Sequence, residues 1–248
     1  MVSLLDSQLC ASIFYFINQY AMEEVMKEFY ADSIAFEYSY NQKLITGAVI
    51  IMHPGTIYGL LGRNGCGKST LMKILFGTLK PLEAFIRLNG KRVKTAYLTK
   101  DVCYLPQDSF LPTWFTVEKA IDMMIEDRQS IKQVKENAVI QMLLDERVSN
   151  ISGGELRYLE ILLLLNRKAT FLLLDEPFTG LSPLLKENIQ QLILSFRETK
   201  SILISDHDYH NVLAISDQIM LMENGACRKL AKREDLEMFY VPEGTFEP

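Results

Sequence analysis

The chain has 248 residues, of which 48% are hydrophobic and 23% charged, enough for one α/β domain with a sizeable core and a smaller appended subdomain. Its formal charge of -5, with no Lys/Arg block, excludes a nucleic-acid reader, whose affinity depends on a basic face that releases counterions. Cys10, Cys66, Cys103 and Cys227 are scattered without metal-ligand spacing and read as free thiols of a reducing compartment.

Residues 1–30 read as an amino-terminal extension: either a short helix packing on the domain or an over-long start, with Met22 or Met26 as initiator. Residues 9–17 are apolar, but Asp6 precedes them and no Lys or Arg occurs before Lys27, which argues against a secretion signal. The most apolar runs, 44–52 and 161–165, fall well short of the ~20 residues a membrane-spanning helix needs, so membrane contact is expected only through a partner.

Two β-rich runs, 45–51 and 56–61, flank the turn His53-Pro54-Gly55. The second is continuously apolar, as in a strand buried on both faces, and it leads into Gly62-Arg63-Asn64-Gly65-Cys66-Gly67-Lys68-Ser69-Thr70, followed by helical spacing at Leu71, Ile74 and Leu75. From 116 to 144 the period is helical, with Val117, Ile121, Met124 and Ile125 on one face and Ile131, Val134, Ala138 and Met142 on another. A small helical subdomain, about residues 108–165, is thus expected inside an α/β core that spans 31–248. The core resumes with a buried strand at 171–174, a helix capped by Ser182-Pro183, and strands at 201–205 and 218–222. Asn224-Gly225 predicts a type I′ hairpin into 226–230, and the charged run 232–237 predicts an exposed terminal helix.

Residues 62–69 fit G-x-x-x-x-G-K-[ST] in the required strand-to-helix setting. Such a string arises by chance in on the order of one chain in a hundred of this length, so chance is a weak rival even before the setting is added. Its glycines let successive N–H groups converge on phosphate oxygens, and the helix beginning at Lys68 directs its positive end at them. In this loop Lys68 neutralises the β- and γ-phosphates of ATP and Ser69 ligates Mg²⁺. Cys66 reads by default as a neutral filler; the alternative is that its seat beside a helix N-terminus lowers its thiol pKa and makes it alkylatable when ATP is absent. The apolar strand Phe171-Leu172-Leu173-Leu174 delivers Asp175 and Glu176 at its carboxyl end, Asp175 to hold Mg²⁺ and Glu176 to activate the attacking water. Ser152-Gly153-Gly154 opens a second helix from Glu155; taken alone it reads first as a plain N-cap, and otherwise as a second anion site whose ligand the first loop does not supply.

Ile151-Ser152-Gly153-Gly154-Glu155 resembles the signature motif of the ABC (ATP-binding cassette) superfamily, and the likeness covers the chain from about Ala31 onward with the family's motifs in order. The resemblance implies an α/β fold of the P-loop NTPase type: a mostly parallel sheet with flanking helices, an antiparallel β region and the inserted helical subdomain. Tyr104-Leu105-Pro106-Gln107 resembles the Q-loop, which implies that Gln107 contacts Mg²⁺ and the attacking water. Ile202-Leu203-Ile204-Ser205-Asp206-His207 resembles the switch strand, with His207 on the γ-phosphate. Tyr40 falls near the position of the family's adenine-stacking aromatic, with Tyr38 as the alternative. The family pattern further implies that Ser152, Gly153, Gly154 and Glu155 of one cassette close over ATP held by Gly62, Asn64, Gly65, Cys66, Gly67, Lys68, Ser69 and Thr70 of another. The resemblance leaves the second cassette as either an identical chain or a relative, giving a homodimer or a heterodimer. One departure is Ser182, where the family usually has Asp before the proline.

What the resemblance implies is an ATP-hydrolysing subunit that drives transport with a transmembrane permease in a separate chain, cytoplasmic and peripheral on the inner face of the membrane. Strings at 107–110, 205–208 and 240–242 are similar to the branch of lipopolysaccharide-export and branched-chain amino-acid transporter ATPases. In that branch the groove beside the Q-loop receives the membrane subunit, and Phe110, Leu111, Trp114 and Phe115 either serve that contact or fill the subdomain's own core. A non-transport ABC ATPase of the iron–sulfur assembly type is the alternative function. A nucleotide-binding regulator without turnover is disfavoured by the joint presence of Lys68, Asp175, Glu176 and His207.

Overall fold

The computed structural model describes residues 27–38, 43–238, 240–242 and 245. In chain order the elements are β1 (Phe29–Glu37), β2 (Lys43–Met52), β3 (Ile57–Leu61), α1 (Lys68–Phe76), β4 (Glu83–Leu88), β5 (Lys91–Arg92) and β6 (Val102–Leu105). There follow α2 (Val117–Met124), α3 (Arg128–Lys135), α4 (Gly153–Leu165), β7 (Phe171–Asp175), α5 (Pro183–Ser195), β8 (Ser201–Ser205), α6 (Tyr209–Ile215), β9 (Gln218–Glu223) and β10 (Ala226–Lys229). The expected amino-terminal extension lies almost wholly outside the described residues.

Among the described residues the strands form two sheets, a six-stranded one in the order β10-β9-β3-β8-β7-β6 and a four-stranded one in the order β2-β1-β4-β5. Strands β9, β3, β8, β7 and β6 run parallel, β10 turns back on β9, and the smaller sheet is antiparallel throughout. Every residue of β3, β7 and β8 is buried, which explains their unbroken apolar runs. Because side chains alternate along a strand, Leu172 and Leu174 of β7 enter one core with α4, α5 and α6, while Phe171 and Leu173 enter another with α1 and the antiparallel sheet. Phe29 of β1 meets Phe171 edge-on at 5.7 Å and joins the two sheets.

The centre of the larger sheet is packed tightly enough to require a glycine. A Cβ on Gly59 of β3 would stand 2.6 Å from Val212 Cγ1 and 2.8 Å from Ser216 Oγ, so α6 approaches the strand to a distance only Gly allows. Gly59→Ala is expected to lower the unfolding free energy by about 1–3 kcal/mol through overpacking, read as a reduced denaturant midpoint at unchanged slope.

Two sequence expectations are corrected. Helix α3 stops at Lys135, so Ala138 and Met142 do not continue its apolar face, and Met142 is 81% exposed. Asn137 ends the helix: its side-chain oxygen accepts from Val139 N at 3.0 Å while its amide donates to Tyr158 OH at 3.1 Å, a local competitor of helical hydrogen bonding. Near the carboxyl end, Glu234–Met238 form a 3-10 turn rather than an exposed α-helix, and Leu236 is fully buried in the core. The hairpin at Asn224-Gly225 forms as expected, with φ of 50° and 77°, and Gly225 O accepts from Thr46 N, tying the hairpin to β2.

Candidate functional site

The carboxyl ends of β3, β6, β7 and β8 open together onto one cleft, as parallel sheets arrange them. Strand β3 ends in the loop 62–67, and Gly67 caps α1 with φ 109°, a left-handed conformation that a side chain would strain. The cleft is about 570 Å³ and is lined by Tyr38, Leu44, Asn64, Gly65, Gly67, Lys68, Ser69, Thr70, Gln107, Glu176 and His207. Residues from five segments far apart in sequence thus share one concavity.

Within the loop, Lys68 is 7% exposed and its ammonium donates to Gly62 O at 2.6 Å and to Arg63 O at 3.3 Å. The cation is held in place by the loop's own carbonyls. The thiol of Cys66 follows the neutral-filler reading and not the lowered-pKa alternative: burial pushes it up, outweighing the lowering pull of Lys68. A half-buried thiol against the β3 end is stabilised in its neutral form despite the nearby helix end.

Asp175 is 1% exposed and accepts from three hydroxyls: Ser205 Oγ at 2.7 Å and Ser69 Oγ at 3.1 Å on Oδ1, and Tyr104 OH at 3.0 Å on Oδ2. Burial and the adjacent carboxylate push the Tyr104 phenol far up, so it stays a donor. Ser205 and Tyr104 belong to recognisable strings, but their bonds to Asp175 follow from strand register, in which β8 aligns Ser205 opposite Asp175 and β6 aligns Tyr104 opposite Leu173. No spacing along the chain signals such pairings.

Glu176 follows with φ 52°, a left-handed backbone unusual for a non-glycine, and its N–H donates to Ser205 O at 2.7 Å. Its carboxylate accepts from Gln107 Nε2 at 2.8 Å and from Thr179 Oγ1 at 3.2 Å, with His207 Nδ1 at 3.9 Å. Gln107 Nε2 also donates to Ser69 Oγ at 3.1 Å, so one amide bridges the glycine loop and Glu176. His207 in turn lies 3.4 Å from buried Asp206 Oδ1 and from Thr179 Oγ1.

Tyr40 lies outside the described residues. Tyr38, its alternative, lines the cleft, with its hydroxyl 2.9 Å from Thr70 Oγ1 and its ring edge-on to Phe36 at 5.0 Å. Ser152 and Glu155 do not line the cleft. Ser152 Oγ accepts from Glu155 N at 3.3 Å while Glu155 Oε2 accepts from Ser152 N at 2.8 Å, a reciprocal cap that leaves the start of α4 exposed. A Cβ on Gly154 would stand 2.5 Å from Leu185 Cδ1 of α5, the movable end of that side chain. Gly153 lines a smaller adjoining cleft of about 210 Å³ with Gln107, Arg157, Glu160 and Glu176.

Of the aromatic run beside the Q-loop, Leu111 is 5% exposed and belongs to the core, while Trp114 is 72% exposed. Phe110 borders a cleft of about 380 Å³ with Phe76, Tyr97, Tyr104, Pro106 and Met124. Among the described residues no helix is long and apolar enough to cross a membrane.

The family model described as ABC transporter matches residues 46–179. The chain is 27% identical over 229 residues to the manganese transport system ATP-binding protein MntA of Synechocystis, covering 84% of this chain and 88% of that protein. It is 28% identical over 236 residues to the chelated iron transport system protein YfeB of Yersinia pestis, covering 87% of this chain and 80% of the relative. A solved ATP-binding subunit of an ABC transporter superposes with a TM-score of 0.75 at 20% identity, covering 85% of this chain and 92% of that one.

Proposed function

The chain belongs to the ABC transporter family, as an ATP-binding and ATP-hydrolysing subunit, and from that premise we propose how its residues divide the work. The observation that carries the assignment is the Gln107 amide, which reaches Ser69 Oγ at 3.1 Å and Glu176 Oε1 at 2.8 Å and so joins the phosphate loop to a carboxylate. ATP lies in the 570 Å³ cleft with its base against Tyr38 or Tyr40 and its phosphates on the amides of residues 62–70. Lys68 turns from the carbonyls of Gly62 and Arg63 to the β- and γ-phosphates. Glu176 accepts the proton of the water that attacks the γ-phosphorus as the bond to the ADP oxygen breaks, and His207 contacts the γ-phosphate.

Ser69, Asp175 and Gln107 would hold a magnesium ion; their hydroxyl, carboxylate and amide oxygens form a hard donor set that suits it once phosphate oxygens and water complete the shell. When bound, the ion withdraws charge from the β- and γ-phosphates. Ser205 and Tyr104 orient Asp175 for that role.

Two cassettes pair head to tail, with Ser152, Gly153, Gly154 and Glu155 of one closing on the γ-phosphate held by the other. The exposed cap at the start of α4, whose Ser152 and Glu155 stand outside the cleft that Lys68 lines, supports this reading. The partner cassette is an identical copy or a close relative.

A transmembrane permease in a separate chain docks on the cleft beside Phe110, holding the cassette at the inner face of the membrane. Exposed Trp114 and Leu98, a few residues along the chain from the cleft-lining Phe110 and Tyr97, support that docking. Finer placement beside the lipopolysaccharide-export and branched-chain amino-acid ATPases rests on residues 107–110, 205–208 and 240–242, whereas the relatives above are named for manganese and chelated iron. Affinity-tagged chain recovered from detergent-solubilised membranes is expected to bring down a multi-span protein, and Trp114→Glu to reduce that recovery about tenfold with ATP affinity unchanged. Recovery of the wild-type chain alone, with nucleotide present and absent, would refute the docking.

A further inference from the structure

Helix α4 is buried over nine consecutive residues, 157–165, and almost all of its inward surface is apolar. Arg157 and Glu160 are the exceptions, 9% and 1% exposed, and they face one another one turn apart at 3.3 Å. Their other contacts are unusual in reach. Arg157 Nη1 donates to Pro106 O at 2.8 Å, and Nη2 donates to Gln107 O at 3.3 Å, Asp175 O at 3.2 Å and Glu176 O at 3.2 Å. Glu160 Oε1 accepts from Ser109 Oγ at 2.7 Å and from Phe110 N at 3.0 Å.

A buried ion pair is a poor source of stability, because desolvation offsets its attraction and apolar side chains of the same volume pack as well. Its planar guanidinium instead places donors on four carbonyls at once, which the point charge of lysine cannot do. Those carbonyls belong to the Q-loop on one side and, on the other, to Asp175, the last residue of β7, and Glu176 just after it. Glu176 needs such support, since its backbone sits at φ 52°, a conformation that persists only where the surroundings over-determine it. Glu160 continues the chain of contacts to Phe110, which borders the apolar cleft.

We propose that Arg157 and Glu160 are a positioning pair, which passes displacement of the Ser109–Phe110 segment to the backbone of Glu176 and thereby sets its carboxylate against the attacking water. The proposal rests on the reading of Glu176 as the base. Neither residue touches nucleotide; both act through the carbonyls they hold. The pair answers to whatever occupies the cleft at Phe110, and it joins that cleft to the γ-phosphate position without passing through the side chain of Gln107.

The test is steady-state ATP turnover of the full-length chain, together with fluorescent-nucleotide titration and thermal melting, for Arg157→Lys, Glu160→Gln, the double variant and Ser109→Ala. A misplacement on the ångström scale costs on the order of 100-fold, so Arg157→Lys and Glu160→Gln are expected to lower kcat by about 10- to 100-fold with nucleotide affinity within about twofold of wild type. The double variant should lose no more than the worse single one, as coupled residues do. Ser109→Ala, which removes one hydrogen bond to Glu160 and leaves the pair buried, should lower kcat by about two- to fivefold at an unchanged melting temperature. Should the two charge variants fail to fold, Ser109→Ala decides alone. Unchanged kcat in Ser109→Ala, or losses of affinity and active fraction that parallel the loss of turnover, would overturn the proposal. Glu176→Gln run alongside separates the two failures: if it turns over like wild type, the assignment of the base falls and the positioning pair falls with it.

Discussion

Lys68→Ala is expected to weaken ATP binding by about 100- to 1000-fold while the fold persists. A charge-assisted hydrogen bond contributes about 1.5–3 kcal/mol, and an ammonium shared by the β- and γ-phosphates makes two of them, each 1.4 kcal/mol being worth a factor of ten. On turning to the phosphates Nζ gives up its bonds to Gly62 O and Arg63 O, which offsets part of the about 3–6 kcal/mol of those two contacts and keeps the expected loss at the lower end of that range. Calorimetric or fluorescent-nucleotide titration checks the affinity, and thermal melting separates a lost contact from a loosened loop. Unchanged affinity would remove the glycine loop from the site.

Glu176→Gln should give the largest effect on turnover, lowering kcat by about 100- to 10,000-fold, the range of a lost general base, with ATP still bound. The substitution keeps size and shape, so the 2.8 Å approach of Gln107 and the 3.2 Å contact of Thr179 have counterparts in the amide. What disappears is the acceptor for the water's proton. With hydrolysis blocked, the γ-phosphate proposed to join two cassettes is not removed, and an ATP-dependent dimer should accumulate, visible by sedimentation or light scattering. A monomer that turns over ATP at the wild-type rate would exclude both the base and the dimer.

Much of this site was legible as local physics. The run of buried apolar residues before Gly62 and before Asp175 identified strands covered on both faces, and the burial of every residue in β3 and β7 bears that out. The caps at Ser152 and Ser182 and the turn at Asn224-Gly225 are set by side chains within three residues of the backbone they satisfy. Local rules failed where a competing partner lay elsewhere. Asn137 stopped a helix that apolar periodicity extended to Met142, and Leu236 drew a charged segment onto the core. Cys66 followed burial rather than the helix end, since desolvation of a thiolate outweighed the favourable field.

The sequence by itself determined that a glycine loop, a strand ending in Asp175-Glu176 and a capped second helix exist, because each depends on neighbours a few residues apart. Only the tertiary structure decided which side chains converge on them. Strand register brought Ser205 and Tyr104 to Asp175, and the packing of α4 across the sheet brought Arg157 to the carbonyls of Asp175 and Glu176, contacts that join residues from 18 to 71 positions apart. Such pairings come from closing the fold around its core, and nothing in the spacing of residues along a chain encodes them.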